Sequence, residues 1–194
     1  MPKELEVRYV DLPDMTVASA LGFGKQPEHE AAKRMSAFTG KLGIEPGLPG
    51  HPSFGFNNPN PSPGSENYGY ELWCRVDPDT KAEPPIKIKR IPAARYAVTR
   101  FTGLSNIGAV WKRFAAWVED HHGMIPSCEV GSWLESLQNP GEPNESKWIF
   151  DLYLVVGESQ ATVSAARDRG RCSSDPPAVP RKLSGTSGPP DEQP

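Results

Sequence analysis

The stretch Tyr68-Gly69-Tyr70-Glu71-Leu72-Trp73-Cys74-Arg75-Val76 recurs in character as Trp148-Ile149-Phe150-Asp151-Leu152-Tyr153-Leu154-Val155-Val156. The offset is 80 residues, and it sets aromatic against aromatic, acid against acid and leucine against leucine. Both stretches alternate with the period of two that marks a strand. A strand-length match at a fixed offset points to an internal repeat.

The segments upstream agree with this. Leu12-Pro13 precedes a β-prone run, Thr16 to Leu21, that closes at Gly24, and Ile91-Pro92 precedes Tyr96 to Phe101, closing at Gly103. Proline and glycine are 11 residues apart in both. A helical stripe follows each glycine: Ala31, Met35, Phe38 and Leu42 up to Gly43, then Ile107, Val110, Trp111, Phe114, Trp117 and Val118 up to Gly123. Apolar steps of three and four residues with a terminal glycine predict amphipathic helices. The order strand–helix–strand–strand, read twice over about 4–78 and 84–157, predicts an α+β fold. One pseudo-twofold antiparallel sheet is expected to carry two helices on one face and a ligand groove on the other.

Alternation assigns side chains to those faces. Tyr68, Tyr70, Leu72, Cys74 and Val76, with Trp148, Phe150, Leu152, Leu154 and Val156, form apolar rows expected beneath the helices. The opposite face receives Glu71, Trp73, Asp151 and Tyr153. A further strand within 128–136 sets Trp133 and Glu135 on one side, and His51 to Phe56 reads as a short strand. Aromatic rings with carboxylates on a helix-free face suit a flat or cationic ligand, since a cation over a ring gains roughly 0.5–2 kcal/mol. The plain alternative is a solvated sheet face on which Glu71 and Asp151 serve solubility.

Composition sets the outer limits. The 194 residues, with a net charge of −3, carry no basic footprint for nucleic acid. No run of about 20 apolar residues occurs, so no membrane span is expected, and the charged N-terminus lacks a secretory pattern. Three scattered cysteines give neither a disulfide framework nor a zinc spacing, so a cytoplasmic protein without cofactor is expected. From 158 to 194, Pro, Ser, Gly and charged residues replace the apolar ones, as in a disordered tail.

The doubled unit, its Leu12-Pro13 and Ile91-Pro92 corners, Tyr70-Glu71-Leu72-Trp73 and Phe150-Asp151-Leu152-Tyr153 together resemble the GyrI-like small-molecule-binding family. This is the effector-binding module of AraC-type and multidrug-responsive activators. The resemblance covers roughly 4–156 and implies a groove for lipophilic, aromatic or cationic compounds with a buried glutamate, for which Glu71 is the matching position. Trp73, Trp133, Glu135, Asp151, Tyr153 and Phe56 complete the expected ligand-binding set. The chain starts at the first strand, so no helix-turn-helix and no direct nucleic-acid contact are expected. The loop 45–67 is long enough to cap the groove.

Some free-standing relatives hydrolyse cyclopropane-bearing electrophiles with a glutamate, and another inhibits DNA gyrase. Glu71, with Glu135 or the Tyr153 hydroxyl as the second group, is the candidate catalytic set if the chain is an enzyme, because a desolvated carboxyl can exchange a proton near neutrality. Binding ranks first, since it needs fewer groups in place; hydrolysis ranks second and a gyrase-type protein interaction third. Other constellations are weaker. His121-His122 are adjacent on a helix and point apart, and His29 and His51 lack ligand-spaced partners. Gly22-Phe23-Gly24-Lys25 lacks the spacing of a phosphate loop. Cys74 falls in an apolar row, and Ser127 and Ser136 have no assignable triad partners.

Overall fold

The strand and helix signals above resolve, in a computed structural model that describes residues 5–123 and 129–157, into eight strands and two α-helices. In chain order these are β1 (Val7–Leu12), β2 (Met15–Gly24), α1 (Pro27–Leu42), β3 (Ser53–Asn57), β4 (Tyr68–Arg75), β5 (Lys87–Ile91), β6 (Ala94–Thr102), α2 (Ile107–His122), β7 (Trp133–Leu137) and β8 (Ile149–Val155). Local chemistry sets the helix ends. Pro27 opens α1 with its φ already helical, and Glu28 and Glu30 in the first turn favour the positive end of the dipole. Gly43 (φ 65°) and Gly123 (φ 61°) stop the helices in the left-handed conformation. The expected tail, 158–194, and Cys128 and Ser127 lie outside the described residues.

All strands join one antiparallel sheet in the order β1-β6-β8-β7-β3-β4-β2-β5. The order reads alike from both edges: β2-α1-β3-β4 forms one half and β6-α2-β7-β8 the other. The halves exchange their outer strands, since β1 pairs with β6 and β5 with β2. Leu12-Pro13 and Ile91-Pro92 therefore lead the chain from one half into the other. In the middle, β3 and β7 meet through Gly55 opposite Glu135.

Packing follows from the alternation. Helix α1 covers Ala18, Ala20, Cys74 and Val76 through Met35, and α2 covers Ala97, Phe150, Leu152 and Leu154 through Trp111, Phe114 and Val118. On the opposite face, Met15, Val17, Phe54, Phe56 and Trp73 of one half pack with Tyr96, Val98, Leu134 and Tyr153 of the other. This cluster runs from β2 to β6 across the strands between them, and its side chains are buried although no helix covers them, as on the inside of a curled sheet. The helix-free face becomes an interior, and the apolar area it removes from water holds the halves together.

That curl buries the side chains expected to line the groove. Trp73 is fully buried, Tyr153 is 8% exposed, and Glu71 and Asp151 are each 2% exposed. Among the described residues, aromatic packing closes over these side chains on the helix-free face. The helices flank the open space instead.

Candidate functional site

Helix α1 packs on β2 and β4, and α2 packs toward β6 and β8, which leaves the central strands β3 and β7 uncovered between them. A cavity of about 940 Å³ occupies this gap. Its wall on α1 is made of short side chains, Ala32 and Ser36, with Glu28 and His29 one turn earlier. Leu72, Ile107, Trp148 and Phe150 supply apolar surface, and Tyr68, Tyr70, Gly55 and Glu135 line its sheet side. Pro46 and Gly47, at the start of the long loop, also line it. An apolar hollow with a few convergent polar groups has the composition of a small-molecule site.

The polar groups of the cavity are two carboxylate–phenol pairs. Tyr70 Oη donates to Glu135 Oε1 at 2.5 Å, and Tyr68 Oη donates to Glu28 Oε1 at 2.6 Å. The Tyr70 ring crosses β3 to reach β7, and it can do so only because residue 55 is glycine. A Cβ on Gly55 would lie 1.8 Å from the Tyr70 hydroxyl. Glu135 keeps surface facing the cavity while protein encloses its other sides. Desolvation pushes its carboxyl up to about 7, against the pull of the Tyr70 hydrogen bond and with a further push from the Glu28 charge. The Trp111 indole N–H is buried without a hydrogen bond of normal geometry, yet it is close enough to favour the charged carboxylate. Burial first, then the negative charge of Glu135, raises the Tyr70 phenol well above its ordinary value, so it remains a donor.

On the helix-free face the carboxylates are engaged in structure. Glu71 accepts hydrogen bonds from Ser19 Oγ at 2.7 Å, Asn58 Nδ2 at 2.8 Å and Trp73 Nε1 at 2.5 Å, and is ion-paired with Lys89. Desolvation works against ionisation of Glu71, but these four partners outweigh it and hold its carboxyl below the usual range. Asp151, its counterpart 80 residues on, receives Arg8 at 2.7 Å and both Nε and an Nη of Arg100 at 2.7 Å. Trp73 packs edge-on against Phe56, and Tyr153 against Phe54 and Tyr96.

Of the seven expected ligand residues, Glu135 alone lines the cavity. Glu71, Trp73, Phe56, Asp151 and Tyr153 sit on the other side of the sheet, and Trp133 packs beside Trp111 with ring centroids 5.2 Å apart. Glu71 and Glu135, the carboxylates of the expected catalytic set, therefore project from opposite faces. The sequence reading missed Tyr68, Tyr70, Glu28 and Gly55. A signal was present: two phenol hydroxyls stood in a row assigned to the core, where each needs a buried partner, whereas the matching row carries Trp148 and Phe150.

The remaining candidates have structural explanations. Gly22 packs so tightly that a Cβ would lie 2.0 Å from the Pro27 carbonyl oxygen, and Lys25 pairs with Glu66. His121 stacks on Trp117 and His122 meets Tyr9. Burial raises the Cys74 thiol to about 11, and Ser136 accepts from Gln138. No helix of the described residues is long and apolar enough to cross a membrane.

With this geometry the comparisons with known proteins agree. The family described as "Cass2: Integron-associated effector binding protein" matches residues 8–156. No curated protein matches the chain in sequence. The EcmrR C-terminal domain has the same fold, with a TM-score of 0.58 at 16% identity over 79% of this chain and 98% of that domain. The chain spans 58% of the longer EcmrR chain seen in its DNA complex, with 79% of its own length covered, at 15% identity and a TM-score of 0.58. SAV2435 bound to tetraphenylphosphonium gives 0.50 at 13% identity, over 84% of this chain and 98% of that one. A hydrolase from Listeria innocua gives 0.50 at 13% identity, over 77% and 90%.

Proposed function

We propose that this chain, which belongs to the integron-associated effector-binding protein family, binds a small lipophilic cation in the cavity between its helices, with Glu135 as the counter-charge. The observation that carries this reading is the Glu135–Tyr70 pair on the sheet side of the cavity, a carboxylate with a hydrogen-bond donor but, among the described residues, no cationic partner. Leu72, Ile107, Trp148 and Phe150 provide apolar and aromatic contact, and a cation held between carboxylate and ring gains from both. The tetraphenylphosphonium held by SAV2435, which shares the fold, is a ligand of this chemistry. The role is ligand sensing or sequestration.

The first experiment is calorimetric titration of the purified chain with tetraphenylphosphonium, with each ligand afterwards recovered and weighed by mass spectrometry. Saturable binding that weakens about tenfold or more in Glu135→Gln, roughly 1.4 kcal/mol, with the ligand recovered intact, supports the reading. Binding of equal strength in the variant overturns it.

A second reading is hydrolysis of an electrophile. Its support is the Glu135 carboxyl at about 7, where it can both take and give a proton, and the Listeria innocua hydrolase shares the fold. Recovery of a ring-opened product from a cyclopropane-bearing electrophile, abolished in Glu135→Gln, would put this reading first.

A further inference from the structure

Buried or cavity-facing carboxylates of this chain fall into two classes. Glu71 has Lys89, and Asp151 has Arg8 and Arg100, so both carboxylates of the helix-free face are ion-paired within the protein. Glu135 and Glu28 face the cavity, and neither is ion-paired among the described residues. Each has a phenol hydroxyl, which orients a carboxylate but brings no positive charge. Lys25, the cavity's lysine, is tied to Glu66 at 2.6 Å. Glu45 and Glu145 also line the space and add the same sign.

The two phenol-bound carboxylates are close enough for the charge of Glu28 to be felt at Glu135. The charge of Glu28 disfavours ionisation of both Glu135 and Tyr70, and that of Glu135 does the same to Tyr68. The donors, Tyr68 and Tyr70, are two residues apart on one face of β4 and hence roughly 7 Å apart at the backbone. They diverge from there, Tyr68 toward α1 and Tyr70 across Gly55 to β7, so the carboxylates stand as separate stations in one cavity. Beside Glu135 the Trp111 N–H, 2% exposed, has no partner of normal geometry. Both acids are oriented by a phenol hydroxyl, and neither has an ion-pair partner among the described residues.

We infer that the cavity is built for a ligand with two cationic groups, one meeting Glu135–Tyr70 and the other meeting Glu28–Tyr68, joined by an apolar linker. This rests on the cation reading of the same cavity and adds the number and placement of charges. A monocation can neutralise one carboxylate only and leaves the other facing the cavity unbalanced. A dication removes the repulsion as well as gaining the second attraction, an advantage that enclosed surroundings enlarge relative to water.

The test is calorimetry on the full chain at low ionic strength, comparing α,ω-bis(trimethylammonium)alkanes of increasing length with alkyltrimethylammonium compounds of matched length. The expected result is a length optimum at which the dication binds at least about tenfold tighter, roughly 1.4 kcal/mol. Glu28→Gln and Tyr68→Phe should each cut that advantage to about threefold or less, about 0.6 kcal/mol, while Glu135→Gln weakens both series. Dications and monocations of equal affinity in the wild-type chain overturn this inference and leave the cation reading standing. So does an advantage that survives Glu28→Gln. No binding by either series overturns both. A circular-dichroism melt of each variant confirms that the losses are not unfolding.

Discussion

Glu71 and Glu135 are the same functional group given opposite titration behaviour by their neighbours. Glu71 accepts three hydrogen bonds and a lysine, and its carboxyl is held low; Glu135 is surrounded by protein, meets one hydroxyl and rises to about 7. The consequences for stability have opposite signs. Because the folded pKa of Glu135 exceeds its unfolded value, the folded state binds its proton more tightly, so its stability contribution is full below the unfolded value and is lost as pH rises to about 7. Glu135→Gln is expected to remove that loss and raise stability above about pH 7 by an amount on the order of 1 kcal/mol. Urea melts on either side of neutrality measure it. Cation affinity should run the other way, strengthening as pH rises through about 7, because only the carboxylate attracts a cation. Tyr70→Phe, which takes away the bond favouring the charged form, should move that midpoint upward. Gly55→Ala puts a methyl group where the Tyr70 hydroxyl stands. It is expected to cost about 1–3 kcal/mol and, by displacing Tyr70, to shift the binding midpoint as Tyr70→Phe does. An unshifted midpoint in Gly55→Ala would show that the Tyr70 contact does not govern Glu135.

Strands and helices were legible in the sequence because period-two and three-four patterns, glycine stops and the 80-residue echo all agree. The α+β sheet with two helices follows from those patterns together, and alternation places Cys74, Val76, Leu152 and Leu154 in the cores that the helices cover. Two things escaped it. Outer strands β1 and β5 are short and half-exposed, and their exchange between halves depends on pairing that no local pattern encodes. The curl escaped as well, since alternation says which residues share a face and not whether that face ends up inside. Leu72 and Trp73 are both large and apolar, so Glu71 beside Trp73 resembled a binding face when it was a second core. The element-level prediction follows from that core. Glu71→Gln leaves Lys89 without its charge partner in a setting where breaking such a pair costs about 3 kcal/mol. The folded pKa of Glu71 is depressed, so its stabilisation is complete above its unfolded value near 4.5 and fades as pH falls below it. Denaturant midpoints for Glu71→Gln should therefore drop at neutral pH and converge with the parent protein's in acid, with cation affinity changed by less than about twofold. A large loss of affinity with unchanged stability would return Glu71 to the site.

At the scale of the whole molecule, the cavity sits on the seam. Each half carries its own helix, and besides the exchanged strands β1 and β5 the halves join through aromatic packing on the closed face and through β3 against β7, where Gly55 faces Glu135. The helices lie on β2 and β4 and on β6 and β8, to either side of the seam between β3 and β7. A ligand seated there touches α1, β4, β7 and the start of α2 at once, and so bridges both halves. Binding free energy is added to the folded state only, about 2.7 kcal/mol at 100 times the dissociation constant. If the seam is where the sheet opens first, that energy should appear there. The prediction is an uneven rise in amide protection when tetraphenylphosphonium is bound. Amides of β3 and β7 should slow by about the full factor of 100, while those of the exchanged outer strands β1 and β5 change little under conditions where local opening dominates. Hydrogen exchange followed by mass spectrometry, with peptides covering 53–57 and 133–137 against 7–12 and 87–91, reads the difference directly. Uniform slowing would mean that the two halves open only together and that the closed-face core, through Trp73 and Tyr153, already makes them one cooperative unit. Slowing confined to one half would mean that the ligand does not span the seam, and would exclude the arrangement in which Glu135 and α1 hold it between them.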